Sequence, residues 1–172
     1  DISSYKNYIT EIFPKYDIPV FTDASMELSY QPAIEFVLSF LEVMDKDYSY
    51  ESVMHLLRTG LLPFSMEEID LFDSYLYRSG TRGKKRYSGI FTVRPKEFSD
   101  EEMLSINSIR EKLYALLNDA TEIFTKDTSV EEKSKELRNL FLLVSMEEQM
   151  EQKADAYLEM GEDVKSQEYR RI

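Results

Sequence analysis

The chain has 172 residues, 42% of them hydrophobic and 13% aromatic, and its 21 basic and 33 acidic residues leave a net charge of -12. That length and apolar content allow one domain with a packed core and argue against disorder, while the acidic balance argues against strong DNA binding by the domain as a whole. Cysteine is absent, which excludes a disulfide frame, a thiolate metal site and a cysteine nucleophile, and the apolar runs are short and broken by charge, so no membrane span is expected.

The chain therefore reads as soluble and cytoplasmic. It opens on Asp1 and stops at EYRRI inside a helical pattern, so a fragment of a larger protein is expected. Ile2, Tyr5, Ile9, Ile12 and Phe13 recur at helical spacing and predict an amphipathic helix closed by Pro14. Ile18–Thr22, IPVFT, is the best strand candidate; its partner is either the weaker Ile90–Val93 run or a segment outside the chain. Pro32 then opens the apolar series Ile34, Val37, Leu38, Leu41 and Met44, a helix expected to end near Asp45. Ser49 can cap the next helix, with Val53, Leu56 and Leu57 inward and Gly60 as its left-handed stop. Ser65 with Glu68 makes a capping box, followed by Ile69, Phe72, Leu76 and a stop at Gly80.

From Arg78 to Lys96 the chain carries Arg78, Arg82, Lys84, Lys85, Arg86, Arg94 and Lys96 and no acidic residue. Beyond this stretch a second capping box, Ser99 with Glu102, starts a long helix through Met103, Ile106, Ile109, Leu113, Leu116, Leu117, Ala120 and Phe124. A third, Ser129 with Glu132, starts another through Leu137, Leu140, Phe141 and Val144, and the helix restarts after Ser145 and runs to Met160 before Gly161. The expected fold is all-α, a single multi-helix domain over residues 1–172 with at most one or two short strands. Residues 1–30 supply an opening helix and strand, 31–80 the capped helices, 81–98 a basic loop and 99–172 the long helices.

No catalytic constellation emerges, and no catalytic or metal-binding residue is assigned. GTRGKK at Gly80–Lys85 has two residues between its glycines and Lys after its lysine, where a phosphate loop needs four and then Ser or Thr. A mobile basic loop in which Arg82, Lys84, Lys85 and Arg86, with Arg78 nearby, meet nucleic-acid phosphates is the sharper reading; a solvated loop folding onto the acidic helices is the plainer one. Glu51 and His55, one turn apart, could share a metal, but His55 is the only histidine and the plainer reading is a partly buried side chain near a helix end. Asp45 and Asp47 read as turn and capping groups, Ser3–Lys6 matches a Ser-x-x-Lys pattern without its partner motifs, and Met146–Lys153, MEEQMEQK, reads as an exposed helix face.

Five blocks carry a resemblance: IPVFTD at Ile18–Asp23, QPAIEFVLSFLEV at Gln31–Val43, YESVMHLLRTGL at Tyr50–Leu61, IDLFDSYLYRSGTRGKKRY at Ile69–Tyr87, and the closing QEYRRI. In order and spacing they resemble the B subunit of the bacterial ATP-dependent helicase/nuclease, the AddB or RexB type. Gly80, Arg82, Gly83 and the Lys84–Tyr87 run match the family's glycine-basic-aromatic block, with Tyr87 where the family commonly has Trp. More distantly, IPVFTD, the apolar helix and YESV with LLRTG look like the start of the 2B subdomain of superfamily 1 helicases, a helical domain inserted into a motor domain.

The resemblance implies a parent that, with its A-subunit partner, unwinds and resects double-strand DNA ends for recombinational repair, using ATP, Mg and an iron-sulfur cluster that lie outside this fragment. It implies for this segment an accessory, non-catalytic role: positioning DNA or neighbouring motor domains. The alternative is a protein-interaction scaffold that docks the partner subunit without touching DNA. A third reading, a free-standing helical regulator, would require this sequence to be a complete short reading frame.

Overall fold

Four serines cap four of the helices through their hydroxyls. In the computed structural model, which describes residues 31–170 and, nearer the start, residues 5, 8, 9, 12–16, 18 and 19, eight α-helices follow one another within residues 31–170. They are α1 (Pro32–Asp45), α2 (Tyr50–Arg58), α3 (Met66–Ser79), α4 (Lys84–Tyr87), α5 (Asp100–Thr125), α6 (Val130–Leu143), α7 (Met146–Glu159) and α8 (Asp163–Arg170). The Ser49 hydroxyl accepts the Ser52 N–H, and at Ser65, Ser99 and Ser129 both halves of the capping box form, with Glu68, Glu102 and Glu132 reaching back to the serine N–H. Each box satisfies two backbone donors that the start of a helix leaves without partners. No strand forms among the described residues.

Of the expected opening helix, Tyr8, Ile9 and Ile12 are helical and Pro14–Tyr16 forms a 3-10 turn; Ile2 lies outside the described residues. Of the expected strand, Ile18 and Pro19 are irregular, and Val20–Thr22 lies outside the described residues. Its possible partner, Ile90–Val93, is not a strand, because side chains already hold its backbone. The Phe91 N–H donates to Asn107 Oδ1 at 2.7 Å, Asn107 Nδ2 donates to the Phe91 carbonyl at 3.2 Å, and the Tyr75 hydroxyl donates to the Val93 carbonyl at 2.9 Å. One carboxamide thus supplies both backbone bonds that a neighbouring strand would have made at Phe91.

The 26-residue α5, about 39 Å long at 1.5 Å per residue, is the spine. Its buried stripe, Ile106, Ile109, Leu113, Leu117 and Ala120, follows the expected spacing, and α3, α4 and α6 all pack on it. Helix α1 joins through edge-on aromatic contacts, Phe40 to Phe124 at 5.7 Å and Phe36 to Phe141 at 6.2 Å.

Two expected faces are corrected. In α1 the fully buried apolar residues are Phe36, Phe40 and Val43, whereas Ile34, Val37, Leu41 and Met44 are half-buried and Leu38 is 50% exposed. This helix is apolar nearly all round, so periodicity does not choose the face; the rings bury the most area and take the interior. In α7 the Met146–Lys153 run is exposed at its glutamates and Gln152, while Met146, Met150 and Ala154 are buried.

Candidate functional site

The glycine-basic-aromatic block is not a loose loop. Within residues 81–98 the chain makes the four-residue helix α4, and that turn is docked on the corner between α1 and α2. The corner ends α1 with two consecutive left-handed residues, Asp47 at φ 44° and Tyr48 at φ 54°, and the Tyr48 N–H donates back to the Val43 carbonyl at 2.8 Å. A non-glycine residue in this region costs about 1–2 kcal/mol. Tyr48 is held there by burial of its ring and by its hydroxyl, which lies 3.2 Å from Thr121 Oγ1 on α5.

The strained corner offers two acceptors to the block. The Tyr48 carbonyl takes the Gly83 N–H at 3.4 Å, and Asp47 Oδ1 takes the Lys84 N–H at 3.0 Å. Asp47 therefore serves as a capping group, as its position in a turn suggested, but for a helix 37 residues away. Gly83 sits at φ 91°, and a Cβ there would stand 3.3 Å from Asp47 Oδ2, so both the conformation and the space call for glycine. At the other end of α4 the buried Arg110 guanidinium donates through Nη1 to the Tyr87 carbonyl at 2.9 Å. A carboxylate at the first residue and a guanidinium at the last match the signs of the backbone dipoles at the two ends.

Tyr87 anchors the turn. Its ring is fully buried, 5.1 Å from Tyr48, 6.4 Å from Phe72 and 5.4 Å from Phe91, in a cluster that Tyr75 and Phe98 complete. Its hydroxyl has no hydrogen-bond partner, and burial pushes the phenol far above its ordinary range. The basic side chains of the block point the other way: Arg82, Lys85 and Arg86 are exposed and Lys84 is partly so. None of these four cations pairs with a carboxylate among the described residues. Arg78 stands apart, with Nη1 3.2 Å from Glu97 Oε1, and Arg94 pairs with Asp100. Gly80, at φ 61°, closes α3.

Tyr48, Asn107 and Arg110, which help to hold this site in shape, carry no signal in the sequence, and the capping role legible at Asp47 did not reveal its target; each acts on a segment at least 16 residues away. The Glu51 and His55 pairing does not form. His55 is exposed, and its Nδ1 lies 2.8 Å from Glu42 Oε2 and its Nε2 3.9 Å from Glu35 Oε1. Bonds from Lys46 and then His55 hold the Glu42 carboxyl below the usual carboxylate range. Among the described residues no group of three His, Cys, Asp or Glu side chains is arranged to hold a metal ion, and the chain has no cysteine to ligate an iron-sulfur cluster. No helix among them is long and apolar enough to cross a membrane.

Fold and site together define an all-α domain that presents a docked, four-cation turn on an otherwise acidic body. No family model matches the chain. It is 30% identical over 173 aligned positions to the B subunit of the ATP-dependent helicase/deoxyribonuclease of Clostridium novyi (strain NT), covering all of this chain and 15% of that protein. The corresponding B subunit of Clostridium botulinum (strain Loch Maree / Type A3) is also 30% identical, over 183 positions that cover all of this chain and 16% of that protein. That of Pelotomaculum thermopropionicum is 32% identical over 166 positions, 88% of this chain and 14% of that protein. The chain belongs to the family of ATP-dependent helicase/deoxyribonuclease B subunits, as a domain of that larger protein, and spans about 15% of the length of the relatives it matches.

Proposed function

We propose that this domain is an accessory, non-catalytic part of the B subunit that guides DNA past the neighbouring motor domains, in the position of a helicase 2B-type inserted subdomain. The parent would process double-strand DNA ends for recombinational repair with an A-subunit partner in the cytoplasm. ATP, Mg and the iron-sulfur cluster would be handled by other segments. The observation that carries this reading is the set of four cations, Arg82, Lys85 and Arg86 exposed and Lys84 partly so, without carboxylate partners among the described residues of a chain whose net charge is -12. A protein with so many carboxylates has ample means to neutralise its own lysines and arginines. A turn fixed at both ends and left uncompensated suits contact with phosphates.

The test uses the full-length B subunit in its complex, with fluorescence anisotropy of labelled duplex, forked and single-stranded DNA across a salt series. Each duplex phosphate contact contributes about 0.9 to the slope of log affinity against log salt, so neutralising all four cations is expected to flatten the slope by roughly 2–4. An unchanged slope would retire the DNA role.

A second reading has its own support. Between α5 and α6 runs a groove of about 470 Å³ with Leu116, Ile123, Leu140 and Leu143 on its walls and Asp119, Glu122 and Glu136 among its lining residues; Leu142 beside it is 72% exposed. Such a surface suits docking of a protein segment. Substituting Leu142 and Leu143 by Ser and finding an unaltered complex between the two subunits would remove that reading.

A further inference from the structure

The cations of the block do not all face the same surroundings. Where α3 ends, the chain folds round a cavity of about 280 Å³ lined by Ser79, Gly80, Thr81, Arg82, Arg86 and Val93. Ser79 Oγ and Thr81 Oγ1 are 2.8 Å apart, and the Thr81 N–H also donates to Ser79 Oγ at 3.3 Å. The Tyr75 hydroxyl donates to the Val93 carbonyl, and burial raises its phenol, an effect that the neighbouring Thr81, Ser79 and Arg86 offset in part. Arg82 and Arg86 therefore line one cavity together with two hydroxyl-bearing residues, and neither pairs with a carboxylate among the described residues.

Two like charges brought to one cavity call for an anion between them. A carboxylate presents two oxygens in one plane and matches one guanidinium fork; a tetrahedral phosphate presents oxygens in several directions and can serve two forks and a hydroxyl at once. We infer that this cavity is a seat for a single phosphate group, filled by a phosphodiester of the DNA backbone, with Arg82 and Arg86 as its forks and, since the Ser79 and Thr81 hydroxyls share one proton between themselves, the other hydroxyl proton of that pair as a further donor. Lys84 and Lys85, which do not line the cavity, act only as diffuse charge. The seat rests on the DNA reading proposed above and sharpens it from a charged face to one fixed contact.

The test compares charge-matched pairs in the full-length B subunit within its complex, using anisotropy of labelled DNA. Arg82→Gln with Arg86→Gln and Lys84→Gln with Lys85→Gln each remove two charges, so screening alone predicts equal losses. The seat predicts that the arginine pair loses about tenfold more affinity than the lysine pair. It also predicts that Arg82→Lys with Arg86→Lys, which keeps the charge and discards the forks, recovers little of that loss. Equal losses, or full recovery with lysine, would overturn the seat and leave the DNA-facing role standing. If no variant changes DNA affinity, the DNA reading falls, and a second arm decides the seat. Inorganic phosphate, titrated at constant ionic strength against chloride, either raises the melting temperature of wild type and not of the arginine pair, which supports a seat for free phosphate, or does neither, which overturns it. All four side chains lie outside the core, and an unchanged melting temperature without phosphate verifies folding of each variant.

Discussion

Tyr48 and Tyr87 stand ring to ring at 5.1 Å, yet removal of their hydroxyls should act in opposite directions. The Tyr87 ring is fully buried and its hydroxyl has no partner. Burying an unbonded hydroxyl costs about 1–3 kcal/mol, and Tyr87→Phe removes that group while keeping the contacts with Tyr48, Phe72 and Phe91. A net gain of about 1 kcal/mol is expected, or a rise in melting temperature of roughly 2–4 °C for a chain of this size. The Tyr48 hydroxyl, by contrast, meets Thr121 Oγ1 at 3.2 Å, and Tyr48→Phe should lose about 0.5–1.5 kcal/mol. Tyr87→Ala, which empties the ring's site, should lose about 3–5 kcal/mol. Urea denaturation of the 172-residue chain followed by far-ultraviolet circular dichroism, with midpoints compared at constant slope, measures all three. A loss of about 1 kcal/mol or more for Tyr87→Phe would mean that its hydroxyl is bonded and would refute this account of how the basic turn is anchored.

Asp47→Ala removes the carboxylate that caps α4 and should cost about 0.5–2 kcal/mol, with a loss of DNA affinity in the full-length protein although the variant raises the net charge towards neutrality. Higher affinity would show that charge alone governs binding. Ser99→Ala should cost about 1 kcal/mol by calorimetry and Ser99→Gly only a few tenths, since glycine is itself tolerated at that position; equal costs would contradict a capping role. Burial beside Tyr157 pushes the Tyr169 phenol up to about 12. A folded-state value raised above the unfolded one gives stability that is complete below about pH 10 and is lost as pH climbs towards 12, so Tyr169→Phe should lose less stability than wild type across that window. Identical urea midpoints for the two proteins at each pH would count against the burial of that side chain.

The helix starts were legible because capping is local. A serine and the glutamate three residues on meet whatever the rest of the chain does, and Ser65, Ser99 and Ser129 behave that way. The long α5 stripe was legible for a related reason: apart from Leu104, which is exposed, its large apolar residues gather on one side, so one burial face stood out. The basic block and its aromatic end could also be picked out, and the match over the whole chain to B-subunit sequences agrees with the family resemblance read from the five blocks.

Tertiary structure decided the rest. Helix α1 had apolar residues on every side, and only the rings of Phe124 and Phe141, from helices far along the chain, select Phe36 and Phe40 as its inner face. The Ile90–Val93 run has a strand's composition, but Asn107 occupies the hydrogen bonds a strand partner would need. The basic block has a loop's composition, but Asp47 and the Tyr48 carbonyl hold one end of its turn and Arg110 holds the other. Sequence by itself determined what each segment does with its own neighbours. Contacts between residues 16 to 37 positions apart turned a run of cations into a fixed surface, because only a folded chain can bring a carboxylate, a carbonyl and a guanidinium to the two ends of one four-residue helix.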